Sequence, residues 1–443
     1  MTSVLDELDA AAPGPVIVWG SLPPEGRDYD LVCVPQDAAP FAAALRTLGF
    51  SVHRPATRWI RVSDCELQVV DLVPADRLGI PGPEIADLFA AALPLPGHTR
   101  MFVPGPVHEL LLQTLKGTPG VPLPRHRRAR LEMALRADAD GWEHAWLRAT
   151  RWGIEEDLER LKLAWRTGLP LAAPVPRLRS RVRSRVRSRI RSPMKRPDRA
   201  TGWLVSLSGL DGSGKSLQAR LLRAAMDNLG QDTVIEWARL SHNAGLDTIA
   251  RPVKRLLSIR TRPGPATGPE PAGAASDPAP QPAPRPAPQP APQPAPQPAP
   301  RRVDHRLVTQ SWALIVALAN AFTYRRVVRR HTRRGRNVIC DRYLLDSYVQ
   351  LRFRYGRQRE FALQRLLLRI VTPRPQLSYL LVVPPETANS RKADQFTLPE
   401  LGEQAQLYVE ESARLPVRAI DGSRAAEEVF AQIVREVLDE LPE

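Results

Sequence analysis

Residues 209–216 read Gly209-Leu210-Asp211-Gly212-Ser213-Gly214-Lys215-Ser216, a complete GxxxxGK[ST] run. It follows the apolar run Trp203 to Ser208 and opens Ser216 to Asn228, whose apolar residues recur at helical spacing until Gly230. A glycine-rich turn between strand and helix suits a phosphate. Glycines let the backbone approach closely and aim its N–H groups inward, and the helix N-terminus adds partial positive charge. In that geometry Lys215 bridges the β- and γ-phosphates of ATP and the Ser216 hydroxyl ligates Mg²⁺. The motif predicts an α/β P-loop NTPase unit, a parallel sheet with helices on both faces.

Beyond that helix, strand-like runs fall at Thr233 to Trp237, Asn337 to Cys340, Ser378 to Val383 and Val417 to Ile420. Between them lie helical stretches from about Asp304 to Thr332, on to about Ile370, and from Ala425 to Leu441. Asp341-Arg342-Tyr343 sits at the carboxyl end of the third strand, where ligands bind in an open α/β sheet. Asp341 is placed there to hold Mg²⁺, and Arg342 to clamp an acceptor phosphate.

Composition is ordinary at 43% hydrophobic and 25% charged residues, and 443 residues suit two or three domains. Two segments are not ordinary. Sixteen of the 46 prolines fall between Pro263 and Pro300, ending in a PAPQ repeat that favours polyproline II and marks a disordered insertion over 262–302. Residues 177–199 hold ten Arg and one Lys against one Asp, a local +10 within the total of +16. We read 171–200 as an arginine-rich linker between domains 1–170 and 201–443. No aromatic residue interleaves those arginines, so base stacking on nucleic acid is unsupported. MTSVLDELDA has no signal-peptide pattern, and Trp312 to Phe322 is too short to span a bilayer and reads as a buried helix. Cys33, Cys65 and Cys340 show no metal or disulfide spacing, so a reducing, cytoplasmic setting is expected.

Residues 1–170 alternate strand and helix patterns: Val16 to Gly20, Asp28 to Val34 and Leu67 to Val73 read as strands, and Phe41 to Leu48, Glu84 to Ala92 and Val107 to Lys116 as helices. Arg127 to Leu163 continues as a helical tail, with Trp142, Trp146 and Trp152 read as core residues. Gly20-Ser21 follows the first strand, Asp28 and Asp30 occupy one face of the second, and Asp71 lies on a later one. Three such carboxylates could share Mg²⁺.

These residues carry two resemblances. GLDGSGKS with Leu217-Gln218, CDRYLLDSYVQ, VVPPETANSRK and AIDGS before a terminal helix resemble the thymidylate kinase family, in its order, over about 202–441. The resemblance implies an ATP- and Mg²⁺-dependent kinase of a nucleoside monophosphate or similar phosphorylated acceptor, with Asp211 and Tyr343 at the acceptor, Arg342 at its phosphate, and Arg391 and Lys392 opening a lid over ATP. It also implies a homodimer, since family members are often dimers. The chain departs from the family after the second strand, where Glu236-Trp237-Ala238-Arg239-Leu240-Ser241-His242-Asn243 replaces the usual Arg-Glu-Pro-Gly-Gly element. Arg239 stands in for its arginine at the acceptor. The Gly-Ser, Asp-x-Asp and third-acid pattern over about 14–165 resembles the nucleotidyltransferase fold, implying a metal site at Asp28, Asp30 and Asp71. Two alternatives stay open: a non-catalytic nucleotide-binding scaffold or switch, and a kinase acting on nucleic acid or another phosphorylated acceptor.

Overall fold

A computed structural model of the chain describes residues 3–24, 26–53, 55–117, 120–172, 202–237, 306–357, 360–392 and 396–440. The expected linker 171–200, apart from Leu171 and Ala172, lies outside these residues, as do Arg239 and the expected insertion 262–302. Among the described residues no helix is long and apolar enough to cross a membrane.

The architecture is α/β, built on two sheets. The first holds β1 (Val16–Val18), β2 (Tyr29–Cys33), β3 (Ser51–His53), β4 (Arg58–Ser63), β5 (Glu66–Pro74), β6 (Leu93–Pro94) and β7 (Met101–Val103), in the order β3-β4-β5-β2-β1-β7-β6. It is mixed, with β2 parallel to β5 and β1 parallel to β7. On one face pack α1 (Val4–Ala11) and α2 (Ala38–Thr47), through Leu8, Phe41 and Leu45. The other face takes α3 (Gly82–Ala90), α4 (Pro106–Leu115), α5 (Arg125–Ala137), α6 (Gly141–Trp152) and α7 (Glu155–Thr167), through Leu88, Leu110, Leu131 and Leu158.

The second sheet is all parallel, in the order β12-β11-β8-β10-β9. Its strands are β8 (Leu204–Gly209), β9 (Thr233–Trp237), β10 (Asn337–Asp341), β11 (Leu377–Val382) and β12 (Arg418–Asp421). Every residue of β8 and β10 is buried, whereas edge strand β12 buries only Ile420, the gradient expected of a sheet covered on both faces. Helices α8 (Lys215–Asn228) and α14 (Ala426–Glu440) bury Leu222, Phe430 and Val434 on one face against Val205, Leu207 and Tyr379. On the other lie α9 (Arg306–Thr332), α10 (Leu344–Tyr355), α11 (Ala362–Val371), α12 (Pro385–Arg391) and α13 (Leu398–Ser412).

The sheets meet at the β4–β5 hairpin. Leu67 and Val69 of β5 share one apolar cluster with Leu222, Met226 and Phe430, and the Asn228 side-chain amide donates to the Leu67 carbonyl at 3.0 Å.

The expected helical tail is three helices, because the chain turns at Asp138-Ala139-Asp140 and again at Gly153, which caps α6 at φ +66°. Trp142 and Trp152 are buried, but Trp146 is 40% exposed. The inward stripe of α6 runs Trp142, Ala145, Ala149, Trp152, and Trp146 falls about 100° round from Ala145. Likewise α9 buries Ala313, Ala317 and Ala321 but exposes Ile315 and Phe322. Only one of its faces is core.

A buried carboxylate ties the helices of the second unit. Glu411 of α13 is fully buried and accepts from Arg365 Nη1 at 2.9 and 3.1 Å and from Arg352 Nη1 at 3.0 Å. Removing one partner of a buried ion pair leaves the other charge uncompensated. Glu411→Ala is therefore expected to cost about 3–5 kcal/mol, read as a lowered midpoint in urea unfolding.

Candidate functional site

The loop between β8 and α8 closes around its own lysine. Lys215 is buried, and its Nζ donates to the carbonyls of Gly209 at 2.8 Å and Leu210 at 2.5 Å, with Ser213 Oγ at 3.3 Å. Gly212 has φ +87°, and a Cβ built there would stand 2.2 Å from the Ala388 carbonyl of α12. Only glycine allows both that backbone and that approach. Gly212→Ala must displace α12 or the loop, and the expected cost is about 1–3 kcal/mol, measured as a shift in the unfolding midpoint.

Register brings Asp341 beside this loop. β10 pairs with β8, Asp341 facing Leu207, so the end of β10 reaches the start of α8. The Ser216 hydroxyl donates to Asp341 Oδ2. A hydroxyl and a carboxylate side by side are hard oxygen donors, a set that fits a hard divalent cation.

Arg342 follows with φ +78°, in the left-handed region that side chains rarely adopt. Its buried guanidinium donates from Nη2 to Asp211 Oδ1, and Nη1 lies 3.9 Å from Asp346 Oδ1. The structure thus gathers residues 209–216, Asp341 and Arg342 at the carboxyl ends of neighbouring parallel strands. Arg391 ends α12 and donates to the Gly422 carbonyl at 3.0 Å, beside the glycine-rich loop, and Lys392 follows it. Tyr343 is not brought in. Its ring packs 5.0 Å from that of Tyr324 in the core, its hydroxyl donates to the Pro373 carbonyl at 2.8 Å, and burial pushes that hydroxyl well above its ordinary range. As the residue before α10, it turns inward where Arg342 turns toward the loop.

In the first unit, Asp28, Asp30 and Asp71 offer carboxylate oxygens all within 4.8 Å of one another. Asp28 lies just before β2 rather than on it, while Asp30 and Asp71 are direct partners on the parallel pair β2 and β5. A Cβ at Gly20 would stand 2.1 Å from Asp30 Oδ2, so the absent side chain makes room for that carboxylate. Burial, then the neighbouring charges of Asp30 and Asp71, push the Asp28 carboxyl up to about 7, with Lys116 and Arg58 partly offsetting them. Mutual repulsion of crowded carboxylates is what a divalent cation relieves, so this donor set also fits one.

Sequence reasoning missed the cations around these acids. Arg58 binds Asp71 through two bonds, at 2.9 and 3.0 Å. Lys116 pairs with Asp30 and stands 4.5 Å over the Trp19 ring. Arg130 holds the Gly20 carbonyl and is itself fixed by Glu109 at 2.6 and 2.7 Å. Arg58 opposite Asp71 is a cross-strand pair that a reading of β4 as a strand would have found; Lys116 and Arg130 leave no local signal. Compared with known proteins, the chain matches no family model and no curated sequence, so the two constellations themselves are the ground for assigning chemistry.

Proposed function

We propose that the second unit is an ATP- and Mg²⁺-dependent phosphotransferase of the thymidylate-kinase type, a P-loop domain that moves the γ-phosphoryl of ATP to a nucleoside monophosphate or similar phosphorylated acceptor. The observation that supports this best is the convergence of Lys215, the Ser216–Asp341 pair and Arg342 at the carboxyl ends of β8 and β10. Phosphoryl transfer asks little covalent chemistry of a protein; it asks for positioned positive charge on the transferred group and its neighbours.

Each residue has a step in this reading. Lys215 exchanges the Gly209 and Leu210 carbonyls for phosphate oxygens, which are stronger acceptors because they are charged. The amides of residues 212–216 line the phosphate tail at the N-terminus of α8. Ser216 and Asp341 would hold Mg²⁺, which would supply charge neutralisation to the phosphates. Arg342 releases Asp211 and takes the acceptor phosphate, which frees the Asp211 carboxylate for the acceptor's hydroxyls. Arg391, at the end of α12, stands where a lid over ATP would begin.

The test is a panel of nucleoside and sugar monophosphates scored for acceptor-dependent ADP release. Release with one class of acceptor supports the reading. ATP binding without acceptor-dependent release across the panel favours a nucleotide-binding scaffold instead.

The clustering of Asp28, Asp30 and Asp71 favours a second reading for the first unit, a nucleotidyltransferase-like domain whose carboxylates hold a divalent cation. Lys116 and Arg58 balance the charge of that cluster when no cation is bound.

A further inference from the structure

We infer that Asp346 is a positioning residue for the transfer: a buried carboxylate that holds Arg342 in register with the glycine-rich loop. This role presupposes the kinase reading above. Asp346 is the third residue of α10 and is 3% exposed. Its Oδ2 accepts from Ser208 Oγ at 2.6 Å and from the Tyr343 amide at 2.9 Å. Its Oδ1 accepts from the Tyr408 hydroxyl at 2.7 Å and lies 3.9 Å from Arg342 Nη1. The Gly209 amide also faces the Tyr408 hydroxyl.

One carboxylate therefore ties three segments: the end of β8 that launches the glycine-rich loop, the turn that carries Arg342, and α13. Capping α10 would need only the bond to the Tyr343 amide; Ser208 and Tyr408 are additional. The backbone of Arg342 gives the second ground. A side-chain-bearing residue at φ +78° persists only where its surroundings over-determine it. Here the Arg342 amide donates to the Leu207 carbonyl at 2.9 Å, and the next amide is held by Asp346. The residue is pinned from both sides. When an acceptor phosphate displaces Asp211 from Nη2, Asp346 still faces Nη1, so the guanidinium keeps its aim.

The test compares Asp346→Asn, which keeps the shape and removes the charge, with Tyr408→Phe, which removes one donor to the same carboxylate. Acceptor kcat/KM is expected to fall about ten- to a hundredfold in Asp346→Asn, the worth of a bond to a charged group, while the KM for ATP stays within about twofold. In an Arg342→Ala background the same substitution should have little further effect, because the two residues act as one unit. Unchanged acceptor kinetics, or equal losses for ATP and acceptor, overturn the role. Should Asp346→Asn fail to fold, Tyr408→Phe is read by the same split. A wild-type protein with no acceptor-dependent turnover overturns the kinase reading and this role together; wild-type turnover with an indifferent Asp346→Asn overturns this role alone.

Discussion

Lys215→Ala is expected to lower phosphoryl transfer by about a thousandfold or more while the fold persists. The size follows from where the ammonium sits. Lys215 is buried, so in the proposed reaction its charge would act on phosphate oxygens through little water, where one aimed donor is worth far more than on the surface. The folded state depends on it less. Without a ligand it donates to the Gly209 and Leu210 carbonyls, and losing such bonds costs about 1 kcal/mol each. Turnover by ADP release and secondary structure by circular dichroism separate the two effects. Turnover within a few-fold of wild type would remove the ammonium from the chemistry.

Asp28→Asn is expected to weaken divalent-cation binding to the first unit by more than about a hundredfold, since it removes one of three anionic donors from a compact set. The same substitution should leave the cation-free protein at least as stable as wild type above neutral pH. The sign follows from the raised carboxyl: its folded value stands above its unfolded one, so stability falls as pH rises from the ordinary carboxylate range to about 7, and above that the cost of the ionised Asp28 is fully present. An asparagine carries no such cost. Titration with Mn²⁺, followed by the shift in unfolding midpoint, measures both effects. A cation shift as large in Asp28→Asn as in wild type would make the cluster an ion-pair network with Arg58 and Lys116 and nothing more.

The parts that were legible are contiguous. Eight residues, 209–216, carry the turn, the lysine and the hydroxyl together, and flanking periodicity marks their strand and helix. Asp341 and Arg342 were legible because the short apolar run Val338 to Cys340 of β10 stops at them. What escaped depends on long-range contacts. β4 reads Arg58-Trp59-Ile60-Arg61-Val62-Ser63, and its arginines break the alternation that would mark a strand, because Arg58 is paired inside with Asp71 and Arg61 reaches Gln68 at 2.7 Å. Asp346 looks like a polar residue in the first turn of a helix, and its partners Ser208 and Tyr408 lie 138 and 62 positions away. Tyr343 was drawn into the site by its neighbours in sequence, but the turn at Arg342 sends it into the core.

The two sheets share a packed cluster at the β4–β5 hairpin, so the first unit is held against the second by Leu67 and Val69 and by the Asn228 bond. β5 thus carries Asp71 and, two pleats away, the contact with α8, the helix that begins at Lys215.

Phosphotransfer by the second unit is tested most directly by the fate of the γ-phosphoryl group. Protein, Mg²⁺ and γ-labelled ATP are incubated with the monophosphate panel, and the products are resolved by mass. Label is expected on an acceptor's phosphate in step with ADP formed, and is expected to be lost in Lys215→Ala. Label that stays on ATP, or appears only as free phosphate whatever acceptor is present, would contradict phosphotransfer.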